Sequence, residues 1–281
     1  MIEVLIIDSQ KLLRHLNILL EQEARCQPKV CGLRLIESAR DHGLRMAARL
    51  RDFEVEDRLS LIQLFGFDTE TFPLAVNLLD RFLSKTKVQP KHLGCVGLSC
   101  FHLAVKSTEE ERHIPLATVI RIIQHRFTIS DLRRMEKIVC CKVKATTAFQ
   151  FLQICYSLIQ EGLPFERKNS PNFERLEAQF KACHCRIMFS KAKPSVLALS
   201  IIALEIQAQK FVEITEGVEC LQKYSKINEL VSRCLTEYSS NKCPKPYIQK
   251  LKWIVSGRPA QQVKHSYYRI THLPTTPKMV S

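Results

Sequence analysis

The sequence predicts an all-α fold: two tandem five-helix units, preceded by an N-terminal helix and followed by a basic C-terminal tail. Three observations carry that expectation. Hydrophobic residues fill 46% of the 281 positions while only 8 are glycine, a balance that suits packed helices better than sheets, whose turns and bulges consume glycine. Apolar residues recur at i, i+4 and i+7 in several segments, the stripe of a helix buried on one face. Two segments, opening at Pro90 and at Pro194, are apolar nearly all the way round, as helices at the centre of a bundle are. The expected division is 1–43 for the N-terminal helix and linker, 44–144 for the first unit, 145–240 for a divergent second unit and 241–281 for the tail.

In the leader, SQKLLRHLNILLEQE places Leu12, Leu16 and Leu19 on one stripe, with Ser9 offered as an N-cap, so it should form an amphipathic helix docked on the chain after it. From Leu44 to Phe65 the stripe runs through Leu44, Ala48, Arg51, Val55 and Ile62. Next, Thr71–Ser84 contains LAVNLLDRFLS, in which Val76, Asp80 and Leu83 share a face. A carboxylate on an apolar stripe needs a partner, because an unpaired buried charge costs several kcal/mol. Arg51 is the partner expected, since its planar fork satisfies a carboxylate with two hydrogen bonds. The central segment QPKHLGCVGLSCFHLAVK, then Pro115–Gln124 and Ser130–Val143, complete the first unit. The second repeats the plan with Thr147–Gln160, Asn172–Ser190, KPSVLALSIIALEIQAQ, Thr215–Tyr224 and Asn228–Tyr238.

Several function classes find no support. No apolar run reaches the ~20 residues of a membrane span, and Glu3, Asp8 and Lys11 come too early for a secretory signal, so an intracellular protein is expected. Twelve cysteines without paired spacings suit a reducing compartment. Cys183-His184-Cys185 lies inside a helical pattern without a second pair of ligands, so no metal is expected there. Nor does a Gly-rich phosphate loop, G-x-S-x-G elbow or H-E-x-x-H helix occur, which argues against an enzyme and against a bound cofactor. Cys140-Cys141 reads as helix packing, and Glu109, Glu110 and Glu111 as a solvated helix end.

The formal charge is +14, and residues 241–281 hold eight Lys or Arg and no acidic residue. With Tyr247, Trp253, Tyr267 and Tyr268 interspersed, this tail has the composition of a nucleic-acid arm. No RNA-binding or helix-turn-helix motif accompanies it. A solvated extension is the preferred reading, and nucleic acid is disfavoured as a partner.

LAVNLLDRFLS, with Arg51 upstream, Leu103-Ala104-x-Lys106-x-x-Glu109-Glu110 downstream and Arg134-Met135-Glu136 further on, resembles a cyclin box. The span from about Leu44 to Tyr238 resembles the tandem box of the cyclin fold, and the wording is most similar to the G-type cyclins, atypical members associated with growth arrest and stress responses. The resemblance implies that Arg51 and Asp80 form a structural ion pair. It also implies that Lys106 and Glu136 bind backbone groups of the mobile helix of a cyclin-dependent kinase. Taken alone, Lys106 is a favourable cation at a helix C-terminus and Glu136 a surface residue. G-type cyclins also point to regulatory subunits of type 2A phosphatase as partners of an adapter, and cyclin-box repeats occur in transcription factor IIB.

Two departures from the family pattern stand out. After Glu136 the chain reaches Thr146-Thr147-Ala148-Phe149-Gln150-Phe151 about one helical turn early, and Lys226–Glu229 is abbreviated, as in a shortened isoform. Where A- and E-type cyclins carry an apolar groove for Arg-x-Leu motifs, this chain has Leu50-Arg51-Asp52-Phe53-Glu54 and then Asp57. Carboxylates are expected to replace the apolar floor and to prevent docking there.

Overall fold

The computed structural model of the chain describes residues 2–23, 25–39, 48–109, 117–118, 120, 127–139, 146–162 and 172–209, and every regular element among them is helical. In chain order these are α1 (Ile2–Glu23), α2 (Val30–Glu37), α3 (Ala48–Phe65), α4 (Thr71–Leu83), α5 (Pro90–Thr108), α6 (Ile129–Val139), α7 (Ala148–Gly162), α8 (Phe173–His184) and α9 (Pro194–Gln209), with a 3₁₀ turn at Phe189–Lys191.

The two all-apolar segments become the axes of two cores, as expected. Around α5, the side chains of Leu93, Val96, Leu98, Cys100, Phe101 and Ala104 are buried, and α3, α4 and α6 pack against it. Around α9, Val196, Leu199, Ile202 and Ile206 meet α7 and α8. Residues beyond 209, which include the expected helices Thr215–Tyr224 and Asn228–Tyr238 and the basic tail, lie outside the described residues. So does most of Pro115–Gln124, of which Ala117, Thr118 and Ile120 are helical.

Local signals set the helix starts. Pro90 occupies the first turn of α5, where its missing N–H costs nothing. Thr128 and Asp131 cap each other's backbone N–H at the start of α6, Thr147 and Gln150 do the same for α7, and Asn172 accepts from Glu174 N and Arg175 N at α8. Each is a reciprocal or single N-cap that satisfies otherwise orphaned donors.

Four expectations need correction. The leader helix begins at Ile2, so Ser9 falls inside it and is no N-cap. Its stripe residues Leu16 and Leu19 are buried in the second core, not the adjacent first one. The leader also caps α9: Glu23 Oε1 accepts from Ser195 N at 2.7 Å, placing a carboxylate on the positive end of that helix. Burial pushes the Glu23 carboxyl above its ordinary range, and the Ser195 bonds and Lys193 pull the other way.

Secondly, the stretch read as a linker contains α2, eight residues whose Leu33 and Ile36 enter the first core. It crosses the end of α4 at close range. Lys29 N donates to Ser84 Oγ at 3.0 Å, and a Cβ on Gly32 would run into the Ser84 carbonyl oxygen and stand 2.7 Å from Ser84 Cα. Thirdly, the helix expected over Asn172–Ser190 is two elements, because α8 ends at His184 and the chain turns through Cys185–Met188 into the 3₁₀ turn. The Cys-His-Cys cluster therefore sits at a helix end rather than inside a helix. Fourthly, Glu109 is not a merely solvated end: its Oε1 accepts from Asp68 N at 2.7 Å and Thr71 Oγ1 at 2.8 Å.

Gly32 yields a test with an unusual sign. Glycine to alanine inside a helix ordinarily stabilises by about 1 kcal/mol. Here the methyl group would collide with backbone, so Gly32→Ala should lower stability by roughly 1–3 kcal/mol. A urea melt followed by circular dichroism measures the sign directly.

Candidate functional site

Arg51 lies fully buried on the inner face of α3, where the sequence pattern places it. Its Nε donates to Asp80 Oδ1 at 2.8 Å and its Nη2 to Asp80 Oδ2 at 2.6 Å, the two-bond fork expected between α3 and α4. Of the remaining three donors, one stays within α3 and two reach beyond the first unit's own helices. Nη1 donates to the His184 carbonyl at 2.9 Å and to Asp52 Oδ1 at 3.3 Å, and Nη2 to Ser190 Oγ at 2.9 Å. All five guanidinium hydrogens are thereby used, the condition under which a buried cation is tolerable. Asp52 extends the link, accepting from Ile187 N at 2.8 Å.

The electrostatics match this geometry. Burial works against the charge on Arg51, but Asp80 and then Asp52 outweigh it and hold the guanidinium above its usual range. Burial pushes the Asp52 carboxyl up to about 6, with Arg51, the Ile187 N–H and Arg186 opposing the rise. His184 is held down to about 4, mainly by burial, while its Nδ1 sits 3.1 Å from the Phe180 carbonyl. A neutral ring beside Arg51 adds no second positive charge.

The other pair of residues singled out in the sequence, Lys106 and Glu136, also converges. Lys106 near the end of α5 donates from Nζ to Glu136 Oε2 on α6 at 2.8 Å. The lysine side chain is 45% exposed and the glutamate 11%, so Glu136 is not a surface residue. His102, one turn before Lys106, bonds through Nδ1 to Glu136 Oε1. Sequence reasoning missed His102, although its place four residues before Lys106 puts both on one side of α5.

The cyclin N-terminal domain family matches residues 14–148. Cyclin-G1 of Homo sapiens is 79% identical over 294 residues, covering 100% of both chains. The chain belongs to the cyclin G family. Cyclin-G1 of Mus musculus is 76% identical over 293 residues, again covering 100% of both chains. Cyclin-G2 of Homo sapiens is 49% identical over 281 residues, covering 95% of this chain and 81% of the relative. In fold, the protein is similar to a viral cyclin from herpesvirus saimiri, with a TM-score of 0.63 at 18% identity over 88% of this chain and 99% of the viral one. The human alignment runs over 294 positions against 281 residues here, leaving at least 13 positions of the human chain without a counterpart. Of the stretch between Glu136 and Thr146 read as one turn short, residues 140–145 lie outside the described residues, as does Lys226–Glu229.

Two of the carboxylates expected to stand where an apolar groove would be, Asp52 and Glu54, do not form a solvated acidic floor. Both are buried. Glu54 Oε1 lies 2.8 Å from Arg58 Nη2 one turn on, and burial pushes Glu54 up to about 6 against the pull of Arg58. Gly97 makes room for it, since a Cβ there would run into Glu54 Oε1 and stand 2.8 Å from Glu54 Cγ. In the second unit, Glu205 on α9 is likewise buried, meeting Arg175 Nε at 3.0 Å and Gln179 Nε2 at 2.7 Å from α8. The signal was the one used for Asp80: an ionised residue on an otherwise apolar helix.

These buried charges can be tested in two ways, of which the first is mutation. Asp80→Ala should cost roughly 3–5 kcal/mol because it strands the guanidinium, and Arg51→Ala a similar amount. In a double-mutant cycle by chemical denaturation the two losses should be strongly non-additive.

The second concerns pH. Burial first, and Asp68 in addition, push Glu70 from 4.5 up to about 7, against the hydrogen bond from Thr147 Oγ1 at 2.8 Å. Between those values the native state binds a proton that the unfolded chain has released, so this group's contribution to stability falls as pH rises through the window. Glu70→Gln keeps the acceptor for Thr147 and removes the titration. It should therefore be more stable than wild type at pH 8, with the difference vanishing near pH 4.5 in thermal melts.

Proposed function

We propose that this protein is a regulatory subunit without catalytic chemistry of its own, which binds a cyclin-dependent kinase through the first unit. One observation carries the reading. Lys106 and Glu136, distant in sequence and on different helices, form a partly exposed 2.8 Å pair at one edge of α5 and α6. A lysine offers donors and a carboxylate offers acceptors, so together they suit the unpaired backbone groups at the end of a partner's helix. Family membership supports the same partner class, since cyclins generally act as regulators of kinases.

Mechanistically, such a subunit works by differential binding. A kinase whose mobile helix swings between two positions is shifted toward the one that the subunit contacts, and the lysine–glutamate pair that orients ATP in the kinase forms only there. Lys106 is the group able to reach outward, because Glu136 is held from behind by His102. Apolar contact from α5 and its neighbours supplies the remaining area.

The alternative reading is an adapter that recruits regulatory subunits of type 2A phosphatase on another face. Its support is that Lys106 and His102 already take one acceptor site on each Glu136 oxygen, which leaves that carboxylate less to offer a kinase.

Lys106 separates the two readings better than Glu136, whose loss would leave half-buried His102 without its carboxylate. Lys106→Ala should change stability by no more than about 0.5 kcal/mol. Loss of one charge-assisted hydrogen bond, roughly 1.5–3 kcal/mol, should weaken kinase binding about ten- to a hundredfold. Titration calorimetry against purified cyclin-dependent kinases measures this. Unchanged affinity in Lys106→Ala would refute the kinase site, and retained binding to a phosphatase regulatory subunit alone would establish the adapter.

A further inference from the structure

Beside the Arg51–Asp80 pair lies a cavity of about 40 Å³ between the two cores. Its wall includes Asn77 and Asp80 of α4, Thr146 just before α7, His184 at the end of α8, Ser190 of the 3₁₀ turn, and Leu197 of α9. Polar atoms on this wall fall into two groups. Asp80 gives both oxygens to Arg51, Ser190 Oγ accepts from the same guanidinium, and His184 Nδ1 is engaged by the Phe180 carbonyl. Asn77 Oδ1 and Thr146 Oγ1, in contrast, are buried atoms without a protein hydrogen-bond partner. Thr146 is 2% exposed.

Hydrogen bonds order the chain around both orphans. Asn77 Nδ2 donates to the Cys26 carbonyl at 3.2 Å, which sets the amide's orientation and turns Oδ1 away from that bond. Thr146 precedes Thr147, whose backbone and hydroxyl are held by Gln150 and Glu70. Both oxygens are shielded from bulk water. Buried polar groups in native proteins are almost always satisfied, and where protein atoms do not serve, ordered water does. One water needs roughly 10–15 Å³ of such volume and two to four polar partners. The cavity exceeds the first requirement, and Asn77 Oδ1, Thr146 Oγ1 and the Ser190 hydroxyl meet the second.

We propose that this cavity is a water-binding site, holding at least one ordered water that donates to Asn77 Oδ1 and bonds to Thr146 Oγ1. The ligand class follows from the wall: two unpaired neutral oxygens, no unpaired charge, and a volume too small for anything beyond a few heavy atoms. Its position gives the water a task. Asn77 belongs to the first unit and Thr146 leads into the second, so the water continues across the seam the polar network that Arg51 begins. The site is independent of the kinase reading and survives its failure.

The test uses the full chain. In a crystal structure at a resolution that places solvent, a peak within about 3.2 Å of both Asn77 Oδ1 and Thr146 Oγ1 is expected. Thr146→Val, a swap of similar shape, supplies an independent sign. A dry cavity would welcome the valine, because an unsatisfied hydroxyl is removed, and the melting temperature would rise. With water present, the valine removes one of its partners and the melting temperature should fall by several degrees while the far-ultraviolet spectrum stays unchanged. A cavity free of solvent density, or a valine variant that melts higher than wild type, overturns the proposal.

Discussion

A single buried guanidinium organises this molecule. Taking Arg51 out of water is unfavourable until every donor is matched, and the matching groups come from four places: Asp80 on α4, Asp52 on α3 itself, the last carbonyl of α8 and a serine of the 3₁₀ turn. The requirement propagates outward. α8 has to end at His184 so that its carbonyl is available, and the chain has to turn there to deliver Ile187 N to Asp52. What looks like an irregular link between helices is the coordination shell of a charge. Hydrophobic burial supplies most of the stability of each core, while the charge decides how the two are joined.

Much of the fold was legible because the relevant signals are local. Pro90 and Pro194 mark helix starts, Leu16 and Leu19 mark a stripe, and the pairing of Arg51 with Asp80 follows from two charges on apolar faces. The signal failed where the cause was distant. Nothing near residues 184–190 announces a break, since the reason for it is Arg51, more than a hundred residues earlier. α2 escaped notice because eight residues give too short a period to read, and because its close fit rests on Gly32 meeting a carbonyl of α4.

The candidate partner site shows the same division. Lys106 and Glu136 were found through the resemblance, yet the resemblance alone did not show that they meet, that Glu136 is largely buried, or that His102 shares its carboxylate. Helix periodicity places His102 and Lys106 together but says nothing of which helix faces them. The inward turn of Asp52 and Glu54 was equally hidden. A run of acidic residues suggests a solvated surface, whereas their position on α3 makes them internal partners for Arg51 and Arg58.

The link from the end of α8 through the 3₁₀ turn has one more consequence, for how the chain is made. Cys183 packs in the second core, Cys185 and Ile187 in the first, and Phe189 in the second again. The bonds from Arg51 to His184 and Ser190 span 133 and 139 residues of sequence. During synthesis from the N-terminus, α3 and α4 emerge long before those ligands exist. The first unit can collapse around α5, but its central cation stays partly unmatched until residue 190 is available. Contacts of such long range also carry the largest loop-closure entropy and form late. Completion of the first half is therefore deferred to the second, and a truncated chain ending between the units would expose its most expensive buried group to solvent.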